Sequence, residues 1–74
     1  MRFLVKLNNW YLVQLTDLVC IGETSTGELV TTRVELIDLD NGYLVTNNRI
    51  YRLGKPDKTW WASKEAEKVF SVLL

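Results

Sequence analysis

Apolar and polar side chains alternate with a period of two through most of the first 54 positions, then change to a helical period near the end of the chain. Phe3, Val5 and Leu7 alternate with Arg2, Leu4 and Lys6, which predicts a first strand. Asn8-Asn9 interrupts it, and residues 10–15 form a second β-rich run with Trp10, Leu12 and Gln14 on one face. A tight hairpin is the expectation for these two runs, with one long bent strand as the alternative. After Thr16-Asp17, residues 18–21 offer a short strand, and Glu23 to Glu28 (ETSTGE) reads as a polar connecting loop of a kind that often carries binding.

The stretch Val34 to Gly54 organises the rest. Asp40-Asn41-Gly42 is a strong hairpin signal, because Asn and Gly tolerate the positive φ of a tight turn, and Asn47-Asn48 supplies a second turn. Three strands result, over residues 34–39, 43–46 and 49–53, the first continuing a run that begins at Leu29 with Val30, Thr32, Val34 and Leu36 on one face. At Leu36-Ile37 the alternation slips, which predicts a β-bulge or sharp bend of the kind a curled sheet needs.

Past Gly54 the pattern changes. Residues 55–59 are a polar connector whose proline does not suit a central strand. Ala62, Ala66, Val69, Phe70 and Leu73 then share one helical face, opposite Ser63, Lys64, Glu67, Lys68 and Ser71. Thr59 or Ser63 is positioned to cap this helix, and Lys64 with Glu67 and Glu65 with Lys68 form i to i+3 pairs. Val72-Leu73-Leu74 are expected to close the core, with projection towards a partner as the alternative. The sequence thus predicts a single α+β domain: a small antiparallel, strongly bent sheet of five or six strands, an SH3-like partial barrel, with one C-terminal helix. Residues 1–54 are the β-meander, 55–61 the connector and 62–73 the helix.

Composition narrows the function classes. A chain of 74 residues buries only roughly 60 % of its unfolded surface, so a partner or a second copy of itself is a plausible source of added stability. Nine basic and nine acidic side chains cancel, which argues against a general nucleic-acid or membrane binder, although residues 1–48 carry three basic and six acidic groups and residues 49–74 the reverse. Histidine is absent and Cys20, inside Leu18-Val19-Cys20-Ile21, reads as a buried core residue. No disulfide, zinc site or other cofactor is expected. No apolar run approaches the roughly 20 residues of a membrane span, and no cleavable leader is evident, so a cytoplasmic protein is expected.

Without a histidine base, a glycine-rich phosphate loop or a metal-ligand spacing, the chain is not expected to be an enzyme. Asp38 and Asp40, two apart on one predicted strand face, lack a second acid element to work with. Two sets of candidate binding residues stand out. Arg52, Lys55, Lys58 and Trp60, with Arg49, Tyr51 and Trp61, interleave cations and aromatic rings as nucleic-acid binders and protein hot spots do. Glu23, Glu28, Asp38 and Asp40, with Asp17 and Glu35, form the acidic alternative, suited to a basic partner surface. Tyr51, Trp60 and Trp61 also have the size to close a small core.

The run Val45 to Gly54 (VTNNRIYRLG), preceded by a strand with paired threonines (Thr31-Thr32) and an acidic turn, resembles a pattern in small uncharacterised proteins of bacteriophages and mobile elements. In size, single-domain character and lack of catalytic residues the chain is also similar to inhibitors of host defence, anti-CRISPR proteins among them. The resemblance implies a non-enzymatic binding protein that blocks a host protein or ribonucleoprotein complex by occupying its surface. It carries over no site residue. The alternative is a small SH3-like nucleic-acid-binding module using the region Tyr51 to Trp61.

Overall fold

The computed structural model describes residues 4–73. Arg2 and Phe3 of the predicted first strand, and Leu74 of the apolar end, lie outside the described residues. The elements are β1 (Val5–Gln14), β2 (Leu18–Thr24), β3 (Gly27–Val30), β4 (Val34–Asp38), β5 (Tyr43–Thr46), β6 (Ile50–Leu53), α1 (Lys58–Trp61) and α2 (Lys64–Leu73). They form a six-stranded sheet in the order β3-β2-β1-β6-β5-β4, so the predicted α+β class holds. The sheet is mixed rather than wholly antiparallel: β1 and β6 run parallel, with Val5, Lys6 and Leu7 opposite Tyr51, Arg52 and Leu53.

The expected hairpin at Asn8-Asn9 does not form; the alternative, one bent strand, does. Between the pairs Asn8–Glu23 and Tyr11–Ile21, β1 has two residues, Asn9 and Trp10, where β2 has only Gly22. This is a β-bulge, and Asn9 occupies its left-handed position at φ 49°. The same tolerance of positive φ that makes Asn-Asn a turn signal serves the bulge instead. Its effect is to point both Leu7 and Trp10, three apart, into the core. Gly22 gives them room, since a Cβ there would stand 3.0 Å from Leu7 Cβ and 3.3 Å from Trp10 Cβ.

A second bulge sits in β4. Val34 pairs with Thr46 and Leu36 with Val45, so Glu35 is the extra residue, close to the slip expected at Leu36-Ile37. Val34 and Ile37 therefore both face inwards and Leu36 faces out. The predicted continuous strand from Leu29 is broken at Thr31–Arg33, which places Val30 outside as well.

Those three residues also force the curl. They join β3 to β4, the two edges of the sheet. Four Cα steps from Val30 to Val34 reach at most about 15 Å, whereas five strand spacings in a flat sheet span about 24 Å. The sheet must wrap round, and side chains secure it. Cys20 N donates to Thr31 Oγ1 at 2.9 Å, Thr31 N donates to Cys20 O at 2.8 Å, and Thr32 Oγ1 donates to Asn48 Oδ1 at 3.1 Å. The wrap brings β4 towards β2, but the edges β3 and β4 are not paired, so the partial barrel stays open.

The two predicted turns of the β4-β5-β6 meander are present. Asn41-Gly42 lies in a four-residue loop: Gly42, at φ 75°, donates to Asp38 O at 2.8 Å. At the second turn Thr46 Oγ1 accepts from Arg49 N at 3.1 Å while Thr46 N donates to Arg49 O at 2.8 Å. The ETSTGE segment is mostly strand, with Ser25-Thr26 as its turn.

The C-terminal segment has two helices where one was expected. Asp57, rather than Thr59, caps α1 by accepting from Trp60 N at 2.9 Å, and Ser63 Oγ accepts from Ala66 N at the start of α2. Ala62 is the residue after α1 and is exposed, while Ala66, Val69, Phe70 and Leu73 pack on the core as the periodicity requires. The expected pairs within α2 do not form; among the described residues the ion pair is Arg33–Glu35, at 3.1 Å. Among the described residues no helix is long and apolar enough to cross a membrane.

Candidate functional site

The connector after β6 folds back along the bent part of β1. Gly54 N donates to Leu7 O at 2.7 Å, Trp10 Nε1 to Gly54 O at 3.0 Å, and Asp57 N to Trp10 O at 2.8 Å. Because Asp57 also caps α1, these bonds fix the helix against Trp10. An aromatic cluster follows: Trp60 lies 5.7 Å from Trp10 and 5.7 Å from Phe70, and Trp61 lies 5.5 Å from Phe70. Trp60, a candidate contact residue from the sequence, is thus packed inside this cluster, and its indole Nε1 is buried without a hydrogen-bond partner. Trp61, which the sequence suggested equally as core, is 46 % exposed.

Beside the cluster lies an apolar groove of about 680 Å³, between α2 and the second half of β1. Leu12, Leu18 and Val34 line its depth, Trp60, Val69 and Leu73 its side, and Glu65 and Lys68 also border it. Val72, at the same groove, is 87 % exposed, so the apolar end of the chain divides between the two expected roles: Leu73 packs on the core and Val72 faces outwards.

A second surface runs across the outside of the sheet. Register places Lys6 beside Arg52, Arg52 beside Tyr43 and Tyr43 beside Asp38, one row over four strands. The neighbouring outer row is apolar: Ile50, Val45 and Leu36 are in register, and Leu4 continues the row ahead of Val5. Leu4, Ile50 and Leu36 are 40 %, 46 % and 57 % exposed, unlike the inner row Val5, Tyr51, Leu44 and Ile37, which faces the core.

The remaining candidates separate. Glu23 and Glu28 face each other across the β2–β3 hairpin, where Glu23 accepts from Asn9 Nδ2 at 2.8 Å. Asp38 and Asp40 do not share a strand face, because Asp40 is in the turn. Asp38 is occupied there, accepting from Asn41 N at 3.1 Å and Asn41 Nδ2 at 2.9 Å, and these bonds hold its carboxyl below the ordinary range. Lys55 and Lys58 are exposed, in the connector and at the start of α1. Arg52 is set apart from them on the outer sheet face, in the row that ends at Asp38. That row and the groove are the features missed by reading along the chain.

Cys20 is fully buried, and burial pushes its thiol up to about 12, so it is a poor nucleophile. Among the described residues no group of three His, Cys, Asp or Glu is placed to hold a metal ion. No family model matches this chain, and neither the curated proteins nor the solved structures contain a match to it.

Proposed function

We propose that this is a non-enzymatic binding protein, and specifically a phage or mobile-element inhibitor that covers a surface of a host macromolecular complex. The observation that carries the binding part is the groove beside α2. At about 680 Å³ it falls within the size range of ligand-binding clefts, and its lining is mostly aliphatic and aromatic. Such a cleft takes one or two large apolar side chains of a partner, while Glu65 and Lys68 at its border supply charges that orient the incoming segment. The inhibitor part draws on the resemblance of the threonine pair and the run Val45 to Gly54 to mobile-element proteins.

The nucleic-acid alternative, in the region Tyr51 to Trp61, keeps Arg52, Lys55, Lys58 and Trp61 exposed, and Lys6 and Tyr43 flank Arg52 on the outer sheet. Against it, Asp38 ends the same row, and the ring expected to stack on bases, Trp60, is packed between Trp10 and Phe70. The test is an affinity pull-down from bacterial lysate with and without nuclease, comparing the native chain with Val72→Lys. A stoichiometric protein partner that survives nuclease and is lost with Val72→Lys is expected. Recovery of nucleic acid alone, removed by nuclease, would sink the reading.

A further inference from the structure

The outer face of β1, β6, β5 and β4 is self-complementary, and this goes beyond the groove. Its polar row runs Lys6, Arg52, Tyr43, Asp38, basic at the β1 end and acidic at the β4 end. Its apolar row runs Leu4, Ile50, Val45, Leu36 over the same four strands. We propose that two copies of this chain pair through this face, about a two-fold axis parallel to the strands and centred between β6 and β5.

The axis follows from the rows. Rotation about a line along the strands reverses strand order but keeps position along each strand, so each row meets itself with its ends exchanged. Lys6 then faces Asp38 of the other copy, Arg52 faces the ring of Tyr43, Leu4 meets Leu36 and Ile50 meets Val45. Every contact occurs twice. An ion pair, a cation–π contact and an apolar seam arise together. An axis across the strands would instead lay the apolar row on the polar one. Because the sheet curls, the contact is tightest at Arg52, Tyr43, Ile50 and Val45 beside the axis, and Lys6 and Asp38 meet at its rim.

Charge complementarity selects a second copy over another occupant. A nucleic acid would be repelled at the Asp38 end, and a wholly basic or acidic partner would meet a like charge at one end of the row. Four strands make a face only about 19 Å wide, below the standard interface size, so association in the micromolar range is expected. The groove at α2 lies elsewhere and stays open in the dimer.

Sedimentation velocity from about 10 μM to about 1 mM tests this. The native chain should move from monomer to dimer, and Ile50→Lys should raise the dissociation constant at least ~10-fold. Lys6→Glu should raise it at least ~5-fold, whereas Val72→Lys should leave it unchanged. Lys6→Glu and Asp38→Lys copies, each poorly self-associating, should pair when mixed, because one native Lys6–Asp38 pair is kept and the other reforms with its charges exchanged. Should Asp38→Lys disturb its turn and fail to fold by circular dichroism, the Ile50 and Lys6 variants decide alone. A native chain that stays monomeric throughout would overturn the proposal. So would a dimer indifferent to Ile50→Lys and Lys6→Glu, or a monomer whose face binds a single-stranded oligonucleotide and loses it with Lys6→Glu. A native chain that dimerises yet captures no protein from lysate would count against the groove reading alone.

Discussion

At the scale of single residues, Thr31 and the two inner tryptophans show how a small core handles polar groups. Thr31 Oγ1 accepts from the buried Cys20 N–H where β3 has ended and no strand carbonyl is available. Thr31→Val keeps the shape and removes the acceptor, and should cost about 1–3 kcal/mol in urea unfolding. Trp10 and Trp60 are both in the aromatic cluster, yet only Trp10 has a partner for its indole N–H, Gly54 O at 3.0 Å. Trp10→Phe leaves that carbonyl without its donor, whereas Trp60→Phe removes a donor that has no acceptor. Trp60→Phe should therefore be the milder change by about 1 kcal/mol, measured as the difference between their unfolding free energies.

At the scale of elements, the bulges decide which side chains are core. Asn9, at φ 49°, is the hinge of β1. Asn9→Gly should change stability by no more than about 0.5 kcal/mol, since glycine takes the same conformation. Asn9→Val should lose about 1–2 kcal/mol or more, because a branched side chain is strained there; thermal melts of the pair are the check. The bulges also mark the limit of what the sequence reveals. Asn41-Gly42 announces a turn because Asp40-Asn41-Gly42 is a run of turn formers between two apolar β-rich stretches. Asn8-Asn9 carries the same local chemistry and makes a bulge, since only the position of Gly22, thirteen residues on, distinguishes the two. The slip at Leu36-Ile37 was visible as a broken alternation, within two residues of the extra Glu35. Which of Trp60 and Trp61 is packed was not legible, because it is decided by the short helix α1, capped at Asp57, in a stretch that reads as a connector. The outer row was hidden for a different reason. Alternation shows which face Lys6, Arg52, Tyr43 and Asp38 occupy, but register across four strands is not written in any one of them.

For the whole molecule, the buried thiol couples stability to pH. Cys20 titrates near an ordinary 9.0 when exposed and at about 12 in the fold. Between these values the unfolded chain has lost a proton that the native chain retains, so stability falls as pH rises through this window and the contribution is fully present below 9. Comparing the native chain with Cys20→Ala should show their stability difference shrinking from pH 9 towards pH 11. Iodoacetamide should leave the native thiol unmodified at neutral pH and label it on unfolding.

The parallel pairing of β1 with β6 has a consequence for how the molecule is made. The hairpins β1–β2–β3 and β4–β5–β6 are each local and can form quickly. The joint between them links residues more than forty apart, Val5 to Tyr51, and is the most non-local pairing of the sheet. During synthesis the edge of β1 at Val5–Leu7 must therefore wait, unpaired, until β6 has left the ribosome. The middle of the sheet is the last part to be assembled, and the rate of folding is set there rather than at the helices.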